Sequence, residues 1–213
     1  MIISDLYQTN ITCSNYNATI DSGDGSTTIT VTVKLEDFNK NAVSGKSVTL
    51  TVDKGYFKSV TGTSTTNYSN TTTKSVSATT KSDGTITAVY VPSEWGLATF
   101  SANTTKIQIE ISGWKRLYAN PGGTITIYRN KDLFRLHGTD HSISLTNTKS
   151  WQDRMSFADY VLPDSHYHCL SSAPDSIFCR ILSNGQFQMK NVSGTAVNNT
   201  KISFTILGKL DES

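Results

Sequence analysis

Residues 27–38 read "TTITVTVKLEDF", with Ile29, Val31, Val33 and Leu35 at alternate positions and Thr or Lys between them. A period of two marks a strand with one buried face, because successive side chains of a pleated backbone point to opposite sides. The alternation returns in "SVTLTVDKG" (47–55), "GTITAVYVP" (84–92), "KIQIEIS" (106–112), "SIFCRI" (176–181) and "KISFTIL" (201–207). No window carries the i, i+3, i+4, i+7 apolar stripe of a helix through three turns. Charged residues make up 17% of the 213, below the ~25% of an average soluble domain. Serine and threonine take their place, and β-branched threonine suits half-exposed strand positions. The chain is therefore all-β, long enough for one large domain or two of about 100 residues, each able to bury its own core.

Lysine and arginine total 19 against 17 acidic residues, a net charge of +2, and no run of like charge exceeds two residues. A nucleic-acid footprint needs clustered cations on one face, so no nucleic-acid partner is expected. No stretch approaches the ~18 apolar residues of a membrane span, and no membrane insertion is expected. The opening "MIISDLYQTN" has neither the basic start nor the apolar run of a secretory signal.

In the first half, the strand at 29–35 and the one at 48–52 are joined by the polar, Gly-containing "NKNAVSGK" and read as antiparallel neighbours. Asp83-Gly84 is a turn signal, after which Ile86, Ala88 and Tyr90 share a face. About seven short strands at this spacing suggest an immunoglobulin-like sandwich. The Ser/Thr-rich segment 58–80, whose larger aliphatic residues are Val60 and Val76, reads as surface, either an exposed hairpin or an edge strand. Trp95, beside Gly96, reads as a cap on one end of the core, with a ligand-stacking aromatic as the alternative. The residues "VTVKLEDFNKNAVSGKSVTLTVDKGYF" and "TTKSDGTITAVYVPSEWGLATFSA" resemble the bacterial immunoglobulin-like repeat of the invasin and intimin type. Glu94-Trp95 stands where that repeat usually has a small residue. The resemblance implies a rigid spacer that presents another module. Gly113 then interrupts the alternation and an aromatic pattern begins at Trp114, which divides the chain into a spacer at 1–112 and a second domain at 113–213.

The second half reads as about eight strands, including a hairpin turning at Asn130-Lys131 and another at Asn184-Gly185. In the latter, Ile177, Cys179 and Ile181 alternate before the turn, with Phe187 and Met189 after it. This points to a jelly-roll-like β-sandwich. The order "GTITIYR", "DYVLP", "CRILSNGQFQMKNVSG" and a closing strand resembles C-terminal head modules of phage tail and baseplate proteins. Such heads usually continue with Arg-Pro after the LP corner, where this chain has Asp164-Ser165-His166. The resemblance implies a trimeric β-structure that recognises a host-surface glycan or protein.

Candidate chemistry is sparse. In "HYHCLSS", His166 and His168 share one face of a strand while Tyr167 and Cys169 share the other. Tetrahedral zinc needs two further ligands and none has a recognised spacing, so we expect an outward histidine pair and no metal or other cofactor. Cys169 and Cys179 flank a turn containing Pro174-Asp175 and could sit on adjacent strands, as buried free thiols in preference to a bridge. No nucleophile-elbow, zinc-protease or phosphate-loop motif occurs. Asp153 and Asp159 without a cleft do not make a glycosidase pair, so no enzymatic activity is expected. The loop holding Trp151, Asp153 and Arg154 has the composition of a recognition surface, and with His166 and His168 these form the candidate ligand-binding set. The expected function is non-enzymatic attachment at a virion surface, in contact with other virion proteins and a host-surface ligand. The missing signal favours that placement over its alternative, a prokaryotic cell-surface adhesin. Apolar residues on both faces of "SIFCRILSNGQFQMKN" leave a surplus that a symmetric interface would cover, which argues for a homotrimer.

Overall fold

The computed structural model describes residues 7–145, 149–170, 177–193 and 195–211, none of them helical. The chain divides into two compact units, residues 1–113 and 114–213.

The first unit contains β1 (Gln8–Cys13), β2 (Asn17–Thr19), β3 (Ile29–Glu36), β4 (Ser47–Val52), β5 (Tyr56–Thr61), β6 (Thr65–Asn67), β7 (Ser75–Thr79), β8 (Thr85–Val91), β9 (Gly96–Ala102) and β10 (Thr105–Ser112). They form two five-stranded sheets of order β1-β3-β8-β5-β6 and β2-β10-β9-β4-β7. Without the outermost β6 and β7, these reduce to the ABED and CFG pairings of an immunoglobulin-like sandwich plus the short parallel strand β2. The alternation sets the core directly: Ile29, Val31, Val33 and Leu35, with Ile86 and Tyr90 of the neighbouring strand, pack with Val48, Leu50, Phe100 and Ile109 of the other sheet in one buried cluster. Each large side chain so buried contributes roughly 1.5–3 kcal/mol.

Segment 58–80 takes the edge-strand form of the two offered, and two of its residues correct the surface reading. Val60 and Val76 are fully buried, because the segment supplies β5 and then one further strand to the edge of each sheet. Its hydroxyls line the outer faces, as in Thr49 Oγ1 to Ser77 Oγ at 2.7 Å. Glu94 and Trp95 each have a bonding role. Glu94 accepts from Lys74 Nζ at 2.7 Å and from the Gly55 amide at 3.2 Å, and the Trp95 indole donates to the Gly113 carbonyl at 3.1 Å. Trp95 packs half-buried against the core, which is the capping role. Asp21, a buried carboxylate, accepts amide hydrogens from Gly23, Gly25 and Thr27 at 2.8, 2.9 and 3.0 Å and so folds its own loop around itself.

The second unit contains β11 (Lys115–Ala119), β12 (Ile125–Asn130), β13 (Leu133–Leu145), β14 (Gln152–Ser156), β15 (Tyr167–Leu170), β16 (Ile177–Ile181), β17 (Gln186–Asn191) and β18 (Val197–Lys209). Two four-stranded sheets, β11-β12-β13-β18 and β14-β17-β16-β15, enclose one core that includes Ile127, Leu136, Phe204, Cys179, Phe187 and Met189. Eight strands in two sheets make the expected β-sandwich, but its connections are more local than the two Greek keys of a jelly roll. The chain changes sheet between β13 and β14 and again between β17 and β18. The first sheet is a meander extended by the final strand. In the second, β14 returns beside β17 in Greek-key order.

The turns differ slightly from the sequence reading. Asn130 pairs with Leu133, so the first hairpin closes at Lys131-Asp132, one residue later than expected. At the second, Leu182 exchanges hydrogen bonds with Gly185 and Gln186, leaving Ser183, Asn184 and Gly185 as a three-residue loop. Gly185 has φ 77° and lies against the backbone of Ala158, both of which require glycine. The turn expected at Pro174-Asp175 lies outside the described residues.

Within the β13–β18 ladder, Phe134 pairs with Gly208 and Gly138 with Phe204. Each ring lies over the glycine opposite, where a Cβ would approach ring carbons to 2.4 and 2.3 Å respectively. A bulge follows, since Gly138 and His141 oppose Phe204 and Ile202. It moves the inward set of β13 from Phe134 and Leu136 to Ile143 and Leu145. Tyr167 ties the edges of the two sheets together: its hydroxyl donates to Asp164 at 2.6 Å and accepts from the Lys209 amide at 2.9 Å.

Candidate functional site

The inward face of β14-β17-β16-β15 carries Ile177, Cys179, Ile181, Phe187 and Met189, so Phe178, Arg180, Gln188 and Lys190 point outward. His168 pairs with Arg180, and Asp153 with Gln188, placing both on that same outer face. Trp151 precedes β14 next to the Gln152↔Met189 pair. Its side chain reaches across the sheet to Arg180, whose guanidinium carbon lies 4.0 Å from the ring centroid. Lys190 Nζ is 6.0 Å from the same ring, and the His168 ring meets it edge-on at 5.8 Å and 76°. A cation over an indole gains ~0.5–2 kcal/mol, more when partly desolvated.

A short relay holds the guanidinium in place. Arg180 Nε donates to Gln188 Oε1 at 2.7 Å, and Gln188 Nε2 donates to Asp153 Oδ1 at 2.6 Å. Arg180 is half-buried, as is Gln188. Among the described residues neither Arg180 nor Lys190 has a carboxylate within ion-pair distance.

Of the five candidate residues, Trp151, Asp153 and His168 thus come together. Arg154 and His166 do not join them. Arg154 is the extra residue of a bulge between Asp153 and Met155, and among the described residues no contact links it to the Trp151 cluster. Its charge falls instead on His141 of β13, whose imidazole is held below its ordinary pKa by burial first and by Arg154 second. His166 precedes β15 and its Nε2 lies 3.5 Å from Ser183 Oγ in the β16–β17 loop. The sequence reading omitted Arg180, Gln188 and Lys190, although their signal was present. In "FCRI" and "QFQMK" they are the partners that alternate with the buried residues, and hairpin register sets Arg180 opposite Gln188.

The β15–β16 register pairs Cys169 with Cys179 on the inner face, both free thiols. The Cys169 contact and burial push the Cys179 thiol up. Among the described residues no group of three His, Cys, Asp or Glu could hold a metal ion. Asp159 lines a separate small concavity with Arg129, Tyr160 and Asp211, away from the Asp153 relay, so the two aspartates do not form a pair across one cleft. A second aromatic–cation group occupies the outer face of the other sheet, where Arg135 lies 5.3 Å from the Trp114 ring and 4.4 Å from the Tyr128 ring. It borders an apolar groove of about 300 Å³ lined by Trp114, Leu133, Phe134, Leu207 and Gly208.

No family model and no curated protein matches the chain. Among solved structures it is similar to the adhesin InvE of Yersinia pseudotuberculosis, with 17% sequence identity and a TM-score of 0.36. That match covers 92% of this chain and 58% of the adhesin structure, so the chain spans a little over half of its length.

Proposed function

We propose that this chain is an extracellular attachment module of adhesin type. The immunoglobulin-like unit acts as a spacer. The second sandwich holds a cell-surface glycan or protein on the outer face of β14-β17-β16-β15, by non-covalent binding and without turnover. One observation carries the reading: Trp151 lies on the outer sheet face beside Arg180 and Lys190, with Arg180 anchored through Gln188 to Asp153. Trp and Arg dominate binding hot spots, and groups held in place before the ligand arrives lose less entropy on binding. Presentation in several copies, as a homotrimer, would turn individually weak sites into effective attachment. A cell-surface carrier is the one this reading takes.

The test is cell binding by the fluorescently labelled full chain, measured by flow cytometry over a panel of bacterial and animal cells. The reading expects at least one cell type to bind and Trp151→Ala to abolish that binding while circular dichroism stays unchanged. A chain that binds no cell, or a variant that binds as well as the parent, overturns it. Release of sugar from cell-wall glycans would overturn the non-enzymatic part. Immunogold labelling that decorated virus particles instead of producing cells would replace the carrier.

A further inference from the structure

The charges on the Trp151 face narrow the ligand class, and the narrowing rests on the attachment reading above. We propose that this face binds an acidic glycan, a sugar chain bearing a carboxylate or sulfate, with the acidic group seated on Arg180 and Lys190.

The first support is the imbalance of charge. Arg180 and Lys190 flank one indole, and among the described residues the carboxylate they share the face with, Asp153, reaches Arg180 through the Gln188 amide and not directly. A purely structural arginine is normally neutralised by a carboxylate placed directly against it, since a half-desolvated cation is otherwise costly. Here the relay holds the guanidinium by its Nε. Among the described residues its terminal nitrogens carry no hydrogen bond, which leaves the planar fork that recognises carboxylate and sulfate in two-point fashion.

The second support is the mixture of groups around that fork. Asp153 uses Oδ1 for Gln188, and among the described residues its other oxygen accepts no hydrogen bond, which leaves an acceptor beside the cationic donors. Sugar hydroxyls donate and accept, and match such a set. A run of acidic side chains in a peptide would meet the Asp153 charge at close range. Trp151, the His168 ring beside it and the exposed Phe178 supply apolar surface for the C–H faces of sugar rings. The groups lie along the outer side of a four-stranded sheet, a geometry suited to a chain lying across it.

The experiment uses the full chain and calorimetric titration with five probes: a heparin-derived hexasaccharide, a polysialic acid hexamer, maltohexaose, chitohexaose and hexaglutamate. We expect at least one of the two acidic sugars to bind about tenfold or more tightly than either neutral one. That binding should weaken about tenfold on raising salt from roughly 50 to 500 mM. Arg180→Gln should lose it, and Arg180→Lys should recover only part, because the point charge lacks the fork. Circular dichroism and the unfolding midpoint of each variant check the fold. Lys190→Gln, at an outward position on β17, provides a second variant should Arg180→Gln fail to fold.

Equal binding of neutral and acidic sugars overturns the acidic-group assignment. So does an acidic sugar that binds Arg180→Gln and Lys190→Gln as well as the parent. Hexaglutamate binding as tightly as the best sugar overturns the glycan class. Silence of all five probes, with cell binding still lost in Trp151→Ala, overturns this proposal and leaves the attachment reading standing. Cell binding unaffected by Trp151→Ala brings down the attachment reading, and this proposal with it.

Discussion

A methyl group at Gly138 would lie 2.3 Å from Cε1 and 2.7 Å from Cζ of Phe204, where carbon atoms normally stop at about 3.5–4.0 Å. The ring must therefore retreat by roughly 1 Å or more. It has little room: Phe204 is 4% exposed and stacks on the fully buried Phe187, with centroids 5.1 Å apart and planes at 21°. Overpacking of this kind costs ~1–3 kcal/mol, and we expect Gly138→Ala near the upper end. The sign is informative, because a Gly→Ala change without a clash stabilises by about 0.4–1 kcal/mol through the unfolded chain. Phe204→Leu alone should cost about 1–2 kcal/mol through lost ring contacts. The smaller side chain makes space for the methyl, so the double variant should be more stable than the sum of the singles by ~1 kcal/mol or more. Hydrogen–deuterium exchange of β13 and β18 amides in the full chain reads the opening free energy of this sandwich separately from the other. A neutral or stabilising Gly138→Ala, or additivity within about 0.5 kcal/mol, would refute the ring-over-glycine packing.

Asp21→Ala removes the acceptor of three backbone hydrogen bonds and should destabilise the first sandwich by ~2–4 kcal/mol, with Asp21→Asn milder; a urea midpoint unchanged in both would contradict this. The His141 imidazole, held low by burial and then by Arg154, is harder to protonate folded than unfolded. The stability it contributes is complete above the unfolded pKa of ~6.5 and is lost as pH falls below it. His141→Gln should therefore flatten the decline in unfolding midpoint from about pH 7 to pH 5, and parallel curves for parent and variant would exclude the effect. Residues 114–213 expressed alone should give a folded β protein with dispersed amide resonances; solubility only in the presence of the first unit would count against two independent cores. Light scattering at micromolar concentration should report three times the chain mass, and a stable monomer would remove both the trimer and its avidity.

Much of the core was legible from alternation alone. Ile29, Val31, Val33 and Leu35, then Ile86, Ala88 and Tyr90, and the Ile177, Cys179, Ile181, Phe187 and Met189 set are all buried because the pleat assigns each residue to one face whatever its distant neighbours. The candidate site was legible only in part. Trp151, Asp153 and His168 were recognisable by residue type, and Arg180 and Lys190 could have been reached from hairpin register. Three features lay beyond local patterning. Val60 and Val76 are buried under a hydroxyl-rich sequence because β6 and β7 complete sheet edges built by other strands. The bulges at Gly138 and at Asp153 shift the phase of the alternation, re-aiming β13 and setting Arg154 apart. Phe134 over Gly208 and Gly138 under Phe204 join residues more than 60 positions apart.

By itself, then, the sequence determined the longer strands, the inward face of most of them and, to within a residue, the tight turns, since a period of two and a Gly or Asn in a tight turn act within a few residues. Only the tertiary structure decided which strands became neighbours. The Greek-key return of β14 to β17 carries Trp151 over Arg180 and His168, and no nearby sequence signal announces it. The physical reason is that strand order is chosen by the joint burial of one core: Ile127, Phe204, Phe187 and Met189 come from three separate stretches of chain, and the recognition face is the outer side of the arrangement that lets them pack together.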